Sequence, residues 1–138
     1  LHRYPAKFVP QIARKLILAF SESGEVVCDP FCGSGTTLVE SMLLGRNTIG
    51  IDLNPLAILI SKTKTTTITL KVMIEAFNEI KSHYEKAKKI AQPENSELAF
   101  WFPASSINEL ARIKHAVEQI TNQAVKRFFL LVISQILP

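Results

Sequence analysis

At 138 residues, 47% apolar and 20% charged, the chain has the balance of one globular domain and lies outside the range of disordered sequences. Its net charge of +4 is compatible with a polyanionic partner but too mild to require one. Two cysteines, Cys28 and Cys32, without a His/Cys cluster at zinc spacing, exclude a disulfide framework and a structural zinc site, and predict free thiols in a reducing compartment.

Pro10 stands where a helix can begin, and Ile12, Leu16, Ile17 and Phe20 recur at helical spacing behind it. Residues 21–25, with Gly24 among them, read as a turn. Val26, Val27 and Cys28 form a short, continuously apolar strand, the pattern expected when helices cover both faces of a sheet. Thr36 or Thr37 opens the next helix, which carries Leu38, Val39, Met42 and Leu43 and closes at Gly45. Residues 48–53 read as a second strand, and Asn54-Pro55 starts another helix. Beyond Thr65 the character changes. After a β-branched link over 65–69, Met73, Phe77, Ile80, Tyr84, Ala87 and Ala91 make a helical stripe that 92–95 interrupt. Ser106 and Glu109 form a capping-box signature ahead of Leu110, Ile113, Val117 and Ile120. Residues 125–137 are apolar nearly all round and predict a helix buried on more than one side. The longest apolar run, 128–133, is far below the ~20 residues of a membrane span, and the N-terminal segment has no signal-peptide core. A cytoplasmic protein without a membrane partner is expected. Residues 1–65 read as α/β and 66–138 as a helical segment of the same domain. Two strands alone make no stable sheet. The chain begins at Leu1 and stops at Pro138 after an apolar segment, so both ends read as cuts through a longer sequence.

The chemistry gathers around the first strand. The only two aspartates are Asp29, at the end of that strand, and Asp52, at the end of the second. Between them lies Gly33-x-Gly35 in a strand-to-helix turn, where missing Cβ atoms allow a ligand to approach the backbone. Asp52 falls 19 positions after Gly33, near the ~20-residue offset at which a carboxylate meets ribose hydroxyls. A dinucleotide fingerprint asks for a third glycine where this chain has Leu38, a side chain large enough to hinder close helix–strand packing. Asp29 beside the turn suits a cationic amino group better than a pyrophosphate. S-adenosylmethionine has a ribose, an α-amino group and a sulfonium but no phosphate, and the sequence favours it as cofactor.

Asp29-Pro30-Phe31-Cys32-Gly33-Ser34-Gly35-Thr36-Thr37 resembles the cofactor motif of the amino-methyltransferases that modify exocyclic nitrogens of nucleic acids. His2-Arg3-Tyr4-Pro5-Ala6-Lys7-Phe8-Val9-Pro10 is similar to the segment preceding that motif in N4-cytosine and N6-adenine DNA methyltransferases of restriction–modification type. Residues 45–57, with Asp52-Leu53-Asn54-Pro55, resemble the following block. The likeness spans roughly residues 2–62 and implies a class-I S-adenosylmethionine-dependent (Rossmann-like) α/β fold, incomplete here, with a helical C-terminal half. It implies that Asp29, Pro30 and the turn through Phe31, Gly33, Ser34, Gly35, Thr36 and Thr37 hold the methionine and adenosine parts. Asp52 would clamp the ribose, Asn54 and Pro55 would shape the adenine pocket, and Lys7 and Phe8 would line the methionine end. Glu40 recurs in the family's motif helix, with a surface carboxylate as the equal alternative.

The family's amine-holding loop, Asp, Asn or Ser followed by Pro-Pro and an aromatic that stacks on a flipped base, does not occur in these 138 residues. No catalytic residue and no metal ligand is assigned. The resemblance places that block beyond Pro138, in an enzyme whose isolated cofactor half is inactive. DNA is the expected partner, with a homodimer or a complementing subunit left open. Transfer-RNA guanine methylation, or a non-catalytic cofactor-binding subunit, is the alternative. Elsewhere, Lys81, Lys86, Lys88 and Lys89 read as a solvated helix face ahead of a phosphate-contacting strip. Phe100-Trp101-Phe102 reads as core packing or a covered subunit contact ahead of base stacking. His83 and His115 read as surface residues without partners.

Overall fold

Pro10 opens helix α1 (Pro10–Phe20) in the first turn, where a missing N–H costs nothing. The computed structural model describes residues 8–88, 90 and 96–136. They divide into two compact units, His2–Thr67 and Ile68–Pro138.

In the first unit α1 is followed by β1 (Val26–Asp29), α2 (Thr36–Leu43), β2 (Asn47–Gly50) and α3 (Pro55–Lys64). The strands are parallel, Val26 opposite Asn47 and Asp29 opposite Gly50, with α2 as the crossover that a parallel pair requires. β1 runs one residue past the expected Cys28. β2 is shorter than the expected 48–53, because its neighbour meets Pro30, which has no N–H to continue a ladder. Two bonds still hold the segment beyond it. Ile51 N–H donates to the Asp29 carbonyl and Cys32 N–H donates to the Ile51 carbonyl, each at 2.9 Å. They carry Asp52 to the glycine turn.

Among the described residues the sheet has these two strands, and its apolar side chains are not covered on both faces as expected. Val26, Ile49 and Ile51 are each more than half exposed. α2 nevertheless packs tightly on the sheet through Leu38, which is buried. The expected hindrance from that leucine is relieved from the opposite side. A Cβ on Gly50 would lie 2.5 Å from Leu38 Cδ1 and 3.1 Å from Cys32 Sγ, so the glycine that permits close packing sits on the strand instead of the helix. Glu40, only 14% exposed at its side chain, pairs with Arg14 of α1 at 3.3 Å and ties α1 to α2.

The second unit consists of α4 (Leu70–Lys86), α5 (Ser96–Trp101), α6 (Ala104–Glu118) and α7 (Gln123–Ser134). Its core joins Ala76 and Ile80 of α4, Ala116 and Val117 of α6, Ile120, and Val125 of α7. The buried stripe of α4 thus runs through Val72, Ala76, Ile80 and Tyr84. Phe77 of the expected stripe is 57% exposed, and Ala91 lies outside the described residues. The observed i, i+4 row keeps Ile80 and Tyr84 of the expected stripe and takes Val72 and Ala76 in place of Met73 and Phe77.

Three further expectations are corrected here. Pro103, in extended conformation, caps α6, and Ser106 lies inside its first turn, so there is no capping box. Glu109 instead accepts hydrogen bonds from Tyr84 Oη and from Arg112 at 2.9 Å. The hydrogen bond to Tyr84 and the Arg112 guanidinium hold the Glu109 carboxyl below its ordinary range, and the bond to Glu109 raises Tyr84. Arg112 also lies 4.1 Å from the Tyr84 ring centroid and donates to the Ala87 carbonyl at 2.7 Å, fastening the end of α4 to α6. The short helix α5 has no counterpart in the sequence reading, and its Phe100 and Trp101 are 80% and 60% exposed. They meet each other edge to face at 5.0 Å rather than packing in a core. α7 buries Val125 and Leu131, half-buries its other residues and leaves only Gln123 and Val132 exposed. His83 is not partnerless, lying 3.6 Å from Glu79 one turn earlier. Lys81, Lys86 and Lys88 are exposed, and Lys89 lies outside the described residues. No helix among the described residues is long and apolar enough to cross a membrane.

Candidate cofactor site

The turn between β1 and α2 is held by one bond within its own backbone and by bonds to Asp29, Ile51 and Asp52. Asp29 Oδ1 accepts from Phe31 N–H at 3.1 Å, an Asx turn that bends the chain as it leaves the sheet. Cys32 N–H is held by the Ile51 carbonyl, and Gly35 N–H donates to the Cys32 carbonyl at 2.7 Å. Gly33 N–H donates to Asp52 Oδ2 at 2.8 Å. The other oxygen of that carboxylate, Oδ1, accepts from Asn54 N–H at 2.8 Å. Asp52 therefore joins the end of the second strand to the glycine turn. Asn54 in turn caps α3, its side chain accepting from Leu56 N–H at 2.9 Å, and Pro55 takes the first helical position.

Gly35 has φ +80°, a left-handed conformation, and Ser61 of α3 is pressed against it. Lys64, at the end of α3, donates to the Ser34 carbonyl at 2.8 Å. Neither Ser61 nor Lys64 was identified from the sequence, because no motif spacing connects the third helix to the turn.

A cavity of about 850 Å³ opens beside β1, within the range of small-molecule sites. Its apolar wall comes from α1, through Ala13, Leu16, Ile17 and Phe20. Its other side gathers Phe8, Asp29, Pro30, Phe31, Gly33, Ser34, Thr36 and Thr37 of the expected site. Gly35, Asp52, Asn54 and Pro55 stand outside this lining. The two groups meet at Gly33, which lines the cavity and donates to Asp52. Lys7 lies outside the described residues.

Two carboxylates thus flank the turn. Burial pushes the Cys32 thiol up, a hydrogen bond from Ser61 opposes this, and Asp52 and Asp29 add to the rise. Cys32 is buried, the setting of a packing thiol. Among the described residues no cluster of three or more His, Cys, Asp or Glu side chains could hold a metal.

The residues of this turn fall within a region similar to known proteins. A DNA methylase family model of the N6/N4 kind matches residues 2–63. The Type II methyltransferase M.MvaI of Kocuria varians is 33% identical over 146 residues, covering 97% of this chain and 32% of that protein. M.MjaII of Methanocaldococcus jannaschii is 36% identical over 85 residues, covering 59% of this chain and 16% of its own length. A tRNA (guanine(10)-N2)-dimethyltransferase of the same archaeon is 40% identical over 52 residues, or 37% of this chain and 15% of its own. The chain spans about a third of the length of M.MvaI and less of the others. No solved structure matches it. Residues 2–63, which carry the glycine turn and both aspartates, match the DNA methylase family, and the chain is similar to Type II DNA methyltransferases.

Proposed function

We propose that the glycine turn binds S-adenosylmethionine and that the protein methylates an exocyclic amine of DNA, N4 of cytosine or N6 of adenine. One observation carries the cofactor reading: four of the turn's N–H groups are already engaged. Those of Phe31, Cys32, Gly33 and Gly35 all donate within the chain. A pyrophosphate cradle needs such groups pointing outward, and Asp29 and Asp52 would repel a phosphate. The same carboxylates suit a cofactor with ribose hydroxyls, an ammonium and a sulfonium. A carboxylate offers about four acceptor positions, so Asp52 can receive ribose hydroxyls beyond the two N–H groups it already accepts.

In this reading Asp29, Pro30 and residues 31–37 hold the methionine and adenosine parts, with Lys7 and Phe8 at the methionine end. Asn54 and Pro55 bound the adenine. The parallel pair with its helical crossover is the opening of a class-I methyltransferase sheet. The cofactor when bound supplies the electrophilic methyl, and the residues described here orient it. The motif that marks an amine-holding loop, Pro-Pro with an aromatic, does not occur in these 138 residues. DNA is favoured over RNA because the likeness to M.MvaI runs along nearly the whole chain, whereas that to the tRNA enzyme stops at about a third.

The test is methyl transfer from labelled S-adenosylmethionine to unmethylated DNA and to transfer RNA by the full-length protein that carries these residues, with nucleosides identified by mass spectrometry. N4-methylcytosine or N6-methyladenine in the DNA is expected. Methylguanine in the RNA, with unmodified DNA, would overturn the DNA assignment.

A further inference from the structure

Ser34 sits between two glycines that both have positive φ, Gly33 at 49° and Gly35 at 80°. Glycine imposes little preference on the peptides beside it, so the orientation of this turn must be set by bonds to something else. The Ser34–Gly35 peptide is held at both polar ends. Its N–H donates to the Cys32 carbonyl at 2.7 Å, and its carbonyl accepts from Lys64 Nζ at 2.8 Å. The second bond is charge-assisted and therefore the stronger kind. It comes from α3, whose Ser61, one helical turn earlier, already abuts Gly35. Rotating this peptide would break both bonds and swing a carbonyl dipole at the edge of the cavity that Ser34 lines.

We infer that Lys64 is a positioning residue for the cofactor site, its ammonium fixing the Ser34–Gly35 peptide and hence the surface against which the ligand rests. This rests on the cofactor reading for what the turn binds, though not for what the lysine does to the turn. Lys64 lies outside the cavity lining.

The test compares Lys64→Met and Lys64→Arg with wild type by the amide resonances of Ser34 and Gly35 without ligand, by titration with S-adenosylmethionine, and by thermal unfolding. Lys64→Met should shift both resonances and weaken binding roughly tenfold, the scale of a lost charge-assisted hydrogen bond. Lys64→Arg, which keeps a cationic donor, should restore both readouts. Should Lys64→Met also lower the melting temperature, Lys64→Gln, a shorter neutral side chain, is compared with Lys64→Arg instead. Unshifted resonances, equal weakening by Met and Arg, or unchanged affinity where wild type binds would each overturn the inference. A wild type that fails to bind, with resonances that move in Lys64→Met and return in Lys64→Arg, would defeat the cofactor reading while upholding the role of Lys64 in the turn.

Discussion

Gly35→Ala is expected to destabilise the protein by about 2–5 kcal/mol, from two sources. A left-handed backbone costs an L-residue roughly 1–2 kcal/mol, and forcing a methyl into a packed site costs typically ~1–3 kcal/mol. The new Cβ would fall 2.8 Å from Ser61 Cβ and 3.0 Å from its Cα, and a backbone atom cannot rotate aside. Gly24 is the matching control. Its φ is +89° with nothing within 4 Å of a Cβ, so Gly24→Ala should show only the backbone part. Equilibrium denaturation of both variants separates the terms. If the two lose equal stability, the turn does not pack on α3 as described.

Asp52→Ala should do two things at once. It strips the acceptor from Gly33 N–H and Asn54 N–H, at a cost of about 2 kcal/mol of stability after allowance for the exposed side of the site. It should also weaken S-adenosylmethionine by on the order of 1–3 kcal/mol. Asp52→Asn separates these effects. Its amide oxygen can still accept one of the two N–H groups, so most of the stability should remain while the charge is lost. Weak binding by a stable Asn variant supports a ribose clamp. Full affinity in that variant would reduce Asp52 to a strut between strand and turn.

The first 65 residues were legible because their signals are local. Pro10, Gly45 and Asn54-Pro55 mark helix ends by chemistry confined to one or two residues, and Asp29 announces the turn by its place after an apolar strand. What was missed depends on partners distant in sequence. Gly50 relieves Leu38 across the helix–sheet contact, so a fingerprint read along the helix alone assigns the missing glycine to the wrong element. Lys64 and Ser61 reach the turn from α3, a relation no periodicity encodes. In the helical half, Ser106 and Glu109 have the spacing of a capping box, but Pro103 starts the helix earlier and Tyr84 and Arg112 claim the glutamate. The α4 stripe differs in its first half because alanine at position 76 carries a weak hydrophobic signal yet is buried in the core. Phe100 and Trp101 are large apolar residues in a helix, and sequence cannot say whether such a pair is covered.

The most direct measurement is calorimetric titration of the protein with S-adenosylmethionine, with NAD as the control. Saturable binding of S-adenosylmethionine without binding of NAD is expected, because two carboxylates flank a turn in which the N–H groups of Phe31, Cys32, Gly33 and Gly35 are already engaged. Binding of NAD in preference would contradict the cofactor assignment, and so would a folded protein that takes up neither.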